Sequence, residues 1–114
     1  MTTDRELLER AARAAEIGPI LCYESAMNCM HIGIRARYRL WRPLNDDGDA
    51  FRLAVQCGLE VSFVDEDSEV RACVGYPNPV RISYVFEDHR GDIFAATRRA
   101  IVRAAAAMAP EEKP

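Results

Sequence analysis

Glycine is sparse: six residues in 114, scattered singly. No Walker-type loop, dinucleotide fingerprint or nucleophile elbow is present, which removes the phosphate-cradling folds and the strand–turn–helix hydrolases. Histidine is scarcer still. His31 lies within an alternating stretch and His89 in a polar one beside Asp88, so a nucleophile–base–orienter set has almost nothing to draw on. Apolar runs are only a few residues long, too short for a membrane-spanning helix. Met1 to Asp4 leads straight into a charged amphipathic segment rather than a secretory h-region. The expectations are a cytoplasmic, non-catalytic protein with no cofactor and no membrane contact.

The four cysteines, Cys22, Cys29, Cys57 and Cys73, form no C-x-x-C pair and each sits in apolar sequence. In a reducing compartment they read as small buried hydrophobes. Cys29 and His31 share a strand face, so a zinc site from Cys22, Cys29 and His31 is geometrically allowed. It would still need a distant fourth ligand, and the expectation is no metal.

Charge is nearly balanced, with a net −3. That is the wrong sign for a general nucleic-acid binder and too mild for a nucleic-acid mimic. Hydrophobic residues at 49% and charged residues at 29% are ordinary for one globular domain. That domain is expected over residues 1–109, followed by a disordered polar tail from Pro110 to Pro114.

The chain is organised around residues 41–61. Pro43 ends the strand carrying Trp41, because it has no N–H to donate. Asn45, Asp46 and Asp47 offer side-chain oxygens to a helix start. Ala50, Leu53, Ala54 and Cys57 recur at i, i+3, i+4 and i+7, and Gly58 supplies a left-handed stop. Residues 59–63 then alternate as a strand. A calcium loop with Gly48 at its sixth place would begin at Pro43 and end at Ala54, neither of which carries a carboxylate, so capping is the better reading.

Before this segment, Thr3 and Glu6 make a capping box for a helix over residues 4–17, stopped at Gly18-Pro19. Its stripe is Leu8, Ala11, Ala12 and Ala15. Residues 20–23 suit a strand and 25–28 a turn. Residues 29–41 alternate over a long stretch, read as one strand with Gly33 as a bulge or bend. In that reading Met30, Ile32, Ile34, Ala36, Tyr38 and Leu40 face one way. His31, Arg35, Arg37, Arg39 and Trp41 face the other, as a basic row with aromatic neighbours.

After it come a turn at 65–68, a strand over 69–74, a stiff loop over 75–79 and a strand over 80–86. Asp92 caps a last helix reaching Met108, with Ile93, Thr97, Ala100, Ile101, Ala104, Ala105 and Met108 inward and Arg98, Arg99 and Arg103 outward. The Asp88-His89-Arg90-Gly91-Asp92 stretch is the best anion-binding candidate, although a polar loop with a capping aspartate is the better reading of it. The order α-β-β-α-β-β-β-α, with room for one more strand, predicts an α+β protein. Its antiparallel sheet of about five strands would be covered by three helices, an α/β/α sandwich.

Three segments carry a family resemblance: residues 3–12 (TDRELLERAA), 43–55 (PLNDDGDAFRLAV) and 92–105 (DIFAATRRAIVRAA). Together they resemble the phage α/β/α-sandwich family of small tailed-phage and prophage proteins. Residues 20–40 and 65–89 fall outside the likeness, and Arg42 stands where relatives carry asparagine. The resemblance implies the sandwich architecture and an accessory gene, and it implies no chemistry. Two function classes follow. One is a binding protein acting on a host or phage protein, an anti-defence inhibitor being one form. The other is a sponge for a nucleotide-like signal in a basic pocket. Candidate binding residues are Arg35, Arg37, Arg39, Trp41, His89, Arg90, Arg98 and Arg99. A homodimer through an edge strand or an alanine-rich helix face is a third arrangement.

Overall fold

The computed structural model describes residues 2–66, 69–76, 83–88 and 91–109. The order is α1 (Asp4–Ala15), β1 (Ile20–Glu24), β2 (Cys29–Ile34), β3 (Arg37–Trp41), α2 (Asp47–Cys57), β4 (Glu60–Glu66), β5 (Glu69–Tyr76), β6 (Ser83–Asp88) and α3 (Ile93–Ala107). The described residues are α+β, with antiparallel strands and three helices. The strands form two three-stranded meanders, β1-β2-β3 and β4-β5-β6, rather than one sheet of five.

The extra strand arises where residues 29–41 break into a hairpin. Ile34 pairs with Arg37, leaving Arg35 and Ala36 as a two-residue turn. Neither residue takes a positive φ, so the Asn-Gly signature of the commonest tight hairpins is missing. Gly33 makes the close approach possible. At its φ of 131° an added Cβ would lie 2.5 Å from the Arg37 carbonyl oxygen and 3.0 Å from the Tyr38 Cα. The reversal also reassigns faces. Trp41 pairs with Met30 and Arg39 with Ile32, so Arg37, Arg39 and Trp41 share the face of Ile34, Ile32 and Met30. The expected basic row on the His31 face does not exist.

The helix caps match the sequence closely. Thr3 accepts from the Glu6 N–H at 3.2 Å, Asp46 from Asp49 at 2.9 Å and Asp92 from Ala95 at 3.0 Å. Gly58 takes the left-handed conformation after α2. α1, however, stops before Gly18: Glu16 itself is left-handed at φ 53°, and its N–H caps the Ala12 and Arg13 carbonyls. β5 continues through Gly75 and Tyr76, two residues into the expected loop. Residues 77–82 and the tail lie outside the described residues.

The helices bury both against one another and against the strands. α3 runs along α1, touches α2, and lies on β5 and β6, while α1 touches β1 and β2. Leu8, Ala11 and Ala12 of α1 meet Ala100, Ala104 and Ala105 of α3 in one cluster with Met30, Ile32, Trp41, Leu44 and Leu53. Alanine on both helices lets the backbones approach closely, so the alanine-rich face proposed for dimerisation is occupied inside the chain.

Candidate functional site

α2, β4 and α3 do not close on each other. Between them runs a groove of about 830 Å³, within the 300–1,000 Å³ span of ligand clefts, taken as roughly comparable. Ala50, Ala54, Leu59, Val61, Thr97 and Ile101 form its floor. Phe51, Val55, Phe63 and Phe94 form its walls, with 68%, 62%, 58% and 65% of their surface exposed. Four large apolar side chains this open around one concavity form a patch rather than the scattered exposure normal for a monomer.

The local sequence explains the walls. Phe51 and Val55 are one turn apart on α2, rotated off the Ala50-Leu53-Ala54 face that enters the core. Phe94 stands in the first turn of α3, held by the Asp92 cap. Arg98 closes one end. Its Nε donates to the Leu44 carbonyl at 2.9 Å and its Nη1 to Asp47 Oδ1 at 2.6 Å. Burial with a carboxylate partner makes Arg98 a structural clamp and a polar rim for the groove.

Each aspartate of the central run has its own task. Asp46 caps α2, Asp47 holds Arg98, and the buried Asp49 accepts from the Arg42 N–H at 2.9 Å and from Arg52 at 2.7 Å. They do not converge on a common point, so the capping reading of this run stands over the calcium one.

The other predicted residues fall in separate places. Arg99 lies on the α1 side of α3, where it donates twice to Asp4 at 3.0 and 3.2 Å. Those hydrogen bonds hold the Asp4 carboxyl below its ordinary value. Asn28 adds a third contact to Asp4 at 2.9 Å and accepts from Tyr23 at 2.7 Å. Arg35 occupies the β2–β3 turn, and Arg37 and Arg39 lie exposed along β3. Trp41 is 2% exposed and belongs to the core, which removes it as a stacking platform. His89 and Arg90 lie outside the described residues. A shallower groove of about 510 Å³ between α1 and α3 is lined by Arg10, Arg99 and Arg103 among others.

Sequence reading therefore selected cations, whereas the structure assembles an aromatic wall. One signal was available: Phe51, Val55 and Phe94 are large apolar residues at helical spacing outside the stripes assigned to the core. The sequence could not show that they gather around one groove. Among the described residues no helix is long and apolar enough to cross a membrane. Neither a family model, nor a curated protein, nor a solved structure matches the chain.

Proposed function

We propose that this is a non-catalytic binding protein that holds a host or phage protein in the apolar groove between α2, β4 and α3. The exposed quartet Phe51, Val55, Phe63 and Phe94 around that groove carries the reading. Aromatic side chains bring large contact area at little conformational cost, and interface anchors are enriched in them. The Arg98–Asp47 pair at one end supplies the polar rim such an interface needs. A phage or prophage accessory role in the cytoplasm, with anti-defence inhibition as one form, rests on the family resemblance. Membership in the phage α/β/α-sandwich family belongs to the same proposal, and it asks that the two meanders serve as one layer between helices.

The test is site-specific photocrosslinking in the natural host, with the photoreactive residue at position 51 and, as a remote control, at position 10. One discrete protein adduct at 51, absent at 10 and abolished by Phe94→Asp, supports the reading. Equal labelling at both positions, or none at 51, removes it. An adduct between two copies of the chain would make the groove the homodimer interface instead.

A second reading has one observation in its favour. Arg10, Arg99 and Arg103 line the groove between α1 and α3, and a cationic cleft of this kind fits a small anionic ligand such as a nucleotide signal. Asp4 already engages Arg99 there, which lowers the positive field. Equilibrium dialysis against a nucleotide panel decides it: retention that Arg10→Glu weakens supports the sponge, and no retention removes it.

A further inference from the structure

We propose that the outer face of the β1–β2 hairpin is a metal site of the zinc class, with Glu24, Cys29 and His31 as ligands and Cys22 as the fourth.

The ladder places all four on one face. Glu24 pairs with Cys29 and Cys22 with His31, while Tyr23 pairs with Met30 on the core side. A bulge between Ile20 and Cys22 is responsible. Ile20 sits opposite Ile32, so unbroken pairing would set Cys22 against Met30 on the core face. The extra residue turns it to His31 instead, the kind of re-aiming that β-bulges perform beside functional sites.

Distances agree with a coordination polyhedron. Glu24 Oε2 lies 3.5 Å from Cys29 Sγ and 3.5 Å from His31 Nε2. Zinc bonds of about 2.0–2.3 Å at tetrahedral angles put neighbouring ligand atoms roughly 3.3–3.7 Å apart. The three ligand atoms all lie within 4.8 Å of one another, so only the sulfur–nitrogen edge has to shorten. Cys22 stands directly opposite His31, a pairing that sets Cβ atoms about 4.5–5.5 Å apart, which places its thiol to supply the fourth ligand.

Burial points the same way. Cys29 is fully buried, yet it stands outside the hydrophobic cluster. Its partner in this polar spot is the Glu24 carboxylate, to which the thiol donates weakly. The Tyr38 ring stacks on His31 with centroids 4.8 Å apart and planes at 13°, fixing the imidazole plane. Tyr23 and Asn45 tie down the hairpin loop through Asn28 and Met27, so the ligand face is held before metal arrives. Thiolate with imidazole selects zinc over magnesium or calcium.

The experiment titrates purified full-length protein with Zn²⁺ against a chromophoric chelator, and with Co²⁺ for its absorption. One equivalent should bind, with a thiolate-to-cobalt charge-transfer band and tetrahedral ligand-field bands. His31→Gln and Cys29→Ser should lose stoichiometric binding. Cys22→Ser, which removes the fourth ligand, should weaken it by at least about tenfold. Cys57→Ser, on α2, should leave it unchanged. Circular dichroism checks each variant's fold, and Glu24→Gln replaces Cys29→Ser if the latter does not fold. Absence of binding, cobalt without a thiolate band, or affinity unaltered by His31→Gln overturns the site.

Discussion

α3 has two helical neighbours and treats them differently. Towards α1 it presents Ala100, Ala104 and Ala105, all with no exposure, against Leu8, Ala11 and Ala12, and the core of that seam is closed beside the groove that Arg10, Arg99 and Arg103 line. Towards α2 it presents Phe94, Thr97, Arg98 and Ile101, and a groove stays open. The sealed seam is finished by a polar chain from Arg99 through Asp4 and Asn28 to Tyr23. At the open seam, the Arg98 clamp spans from α3 to the head of α2. Small residues let helices meet; large ones projecting away from the contact leave surface that is available to something else.

Substitutions of graded severity probe that contrast. Leu8→Ala, at the centre of the sealed seam, should cost about 2–5 kcal/mol in chemical denaturation, through lost burial and the cavity left behind. A loss below about 1 kcal/mol would mean that the seam is looser than it stands here. Ala104→Leu tests the same contact from the other direction. Forcing extra methylenes between α1 and α3 should cost about 1–3 kcal/mol.

Asp4→Asn removes the charge that Arg99 holds, at a half-exposed site, and should cost about 1 kcal/mol at neutral pH. Because the folded carboxyl titrates below its unfolded value, this contribution is present above roughly pH 3.9. It fades as pH falls through the lower, folded pKa. Urea midpoints of wild type and Asp4→Asn should therefore converge in acid. A constant gap would assign the effect to shape rather than charge. At the open seam Phe63→Ser with Phe94→Ser should shift stability by no more than about 0.5 kcal/mol per site, while abolishing the adduct photocrosslinked from position 51. A large loss of stability there would show that the groove walls belong to the core.

Much of this was readable from the chain. Thr3 and Asp92 declared themselves as caps, and residues 45–47 as a capping run from which the structure selects Asp46, because a helix start leaves N–H groups that a nearby oxygen must satisfy. The periodic stripes of α1 and α2 named their buried faces. The β2–β3 hairpin was not readable, since Arg35-Ala36 carries no turn signal and the alternation continues through it. The reason it turns there is the contact that Gly33 permits with Arg37 and Tyr38, residues whose proximity is a result of the turn. The faces assigned to residues 37–41 relative to 29–34, including the supposed basic row beside His31, followed from that missed reversal. The hairpin cluster was half visible: Cys29 and His31 share a face by parity, but Glu24 joins them only through the register of β1, and Cys22 only through its bulge.

Local chemistry alone set where helices begin, which stripes are apolar and that the chain is α+β, because capping, helical periodicity and strand alternation act between residues close in sequence. The tertiary structure decided that the strands form two meanders, that alanine faces seal one seam while phenylalanines line the other, and that a carboxylate, a thiol and an imidazole meet on one hairpin. Those outcomes depend on strand register and helix approach, which pairwise spacing along the chain does not encode.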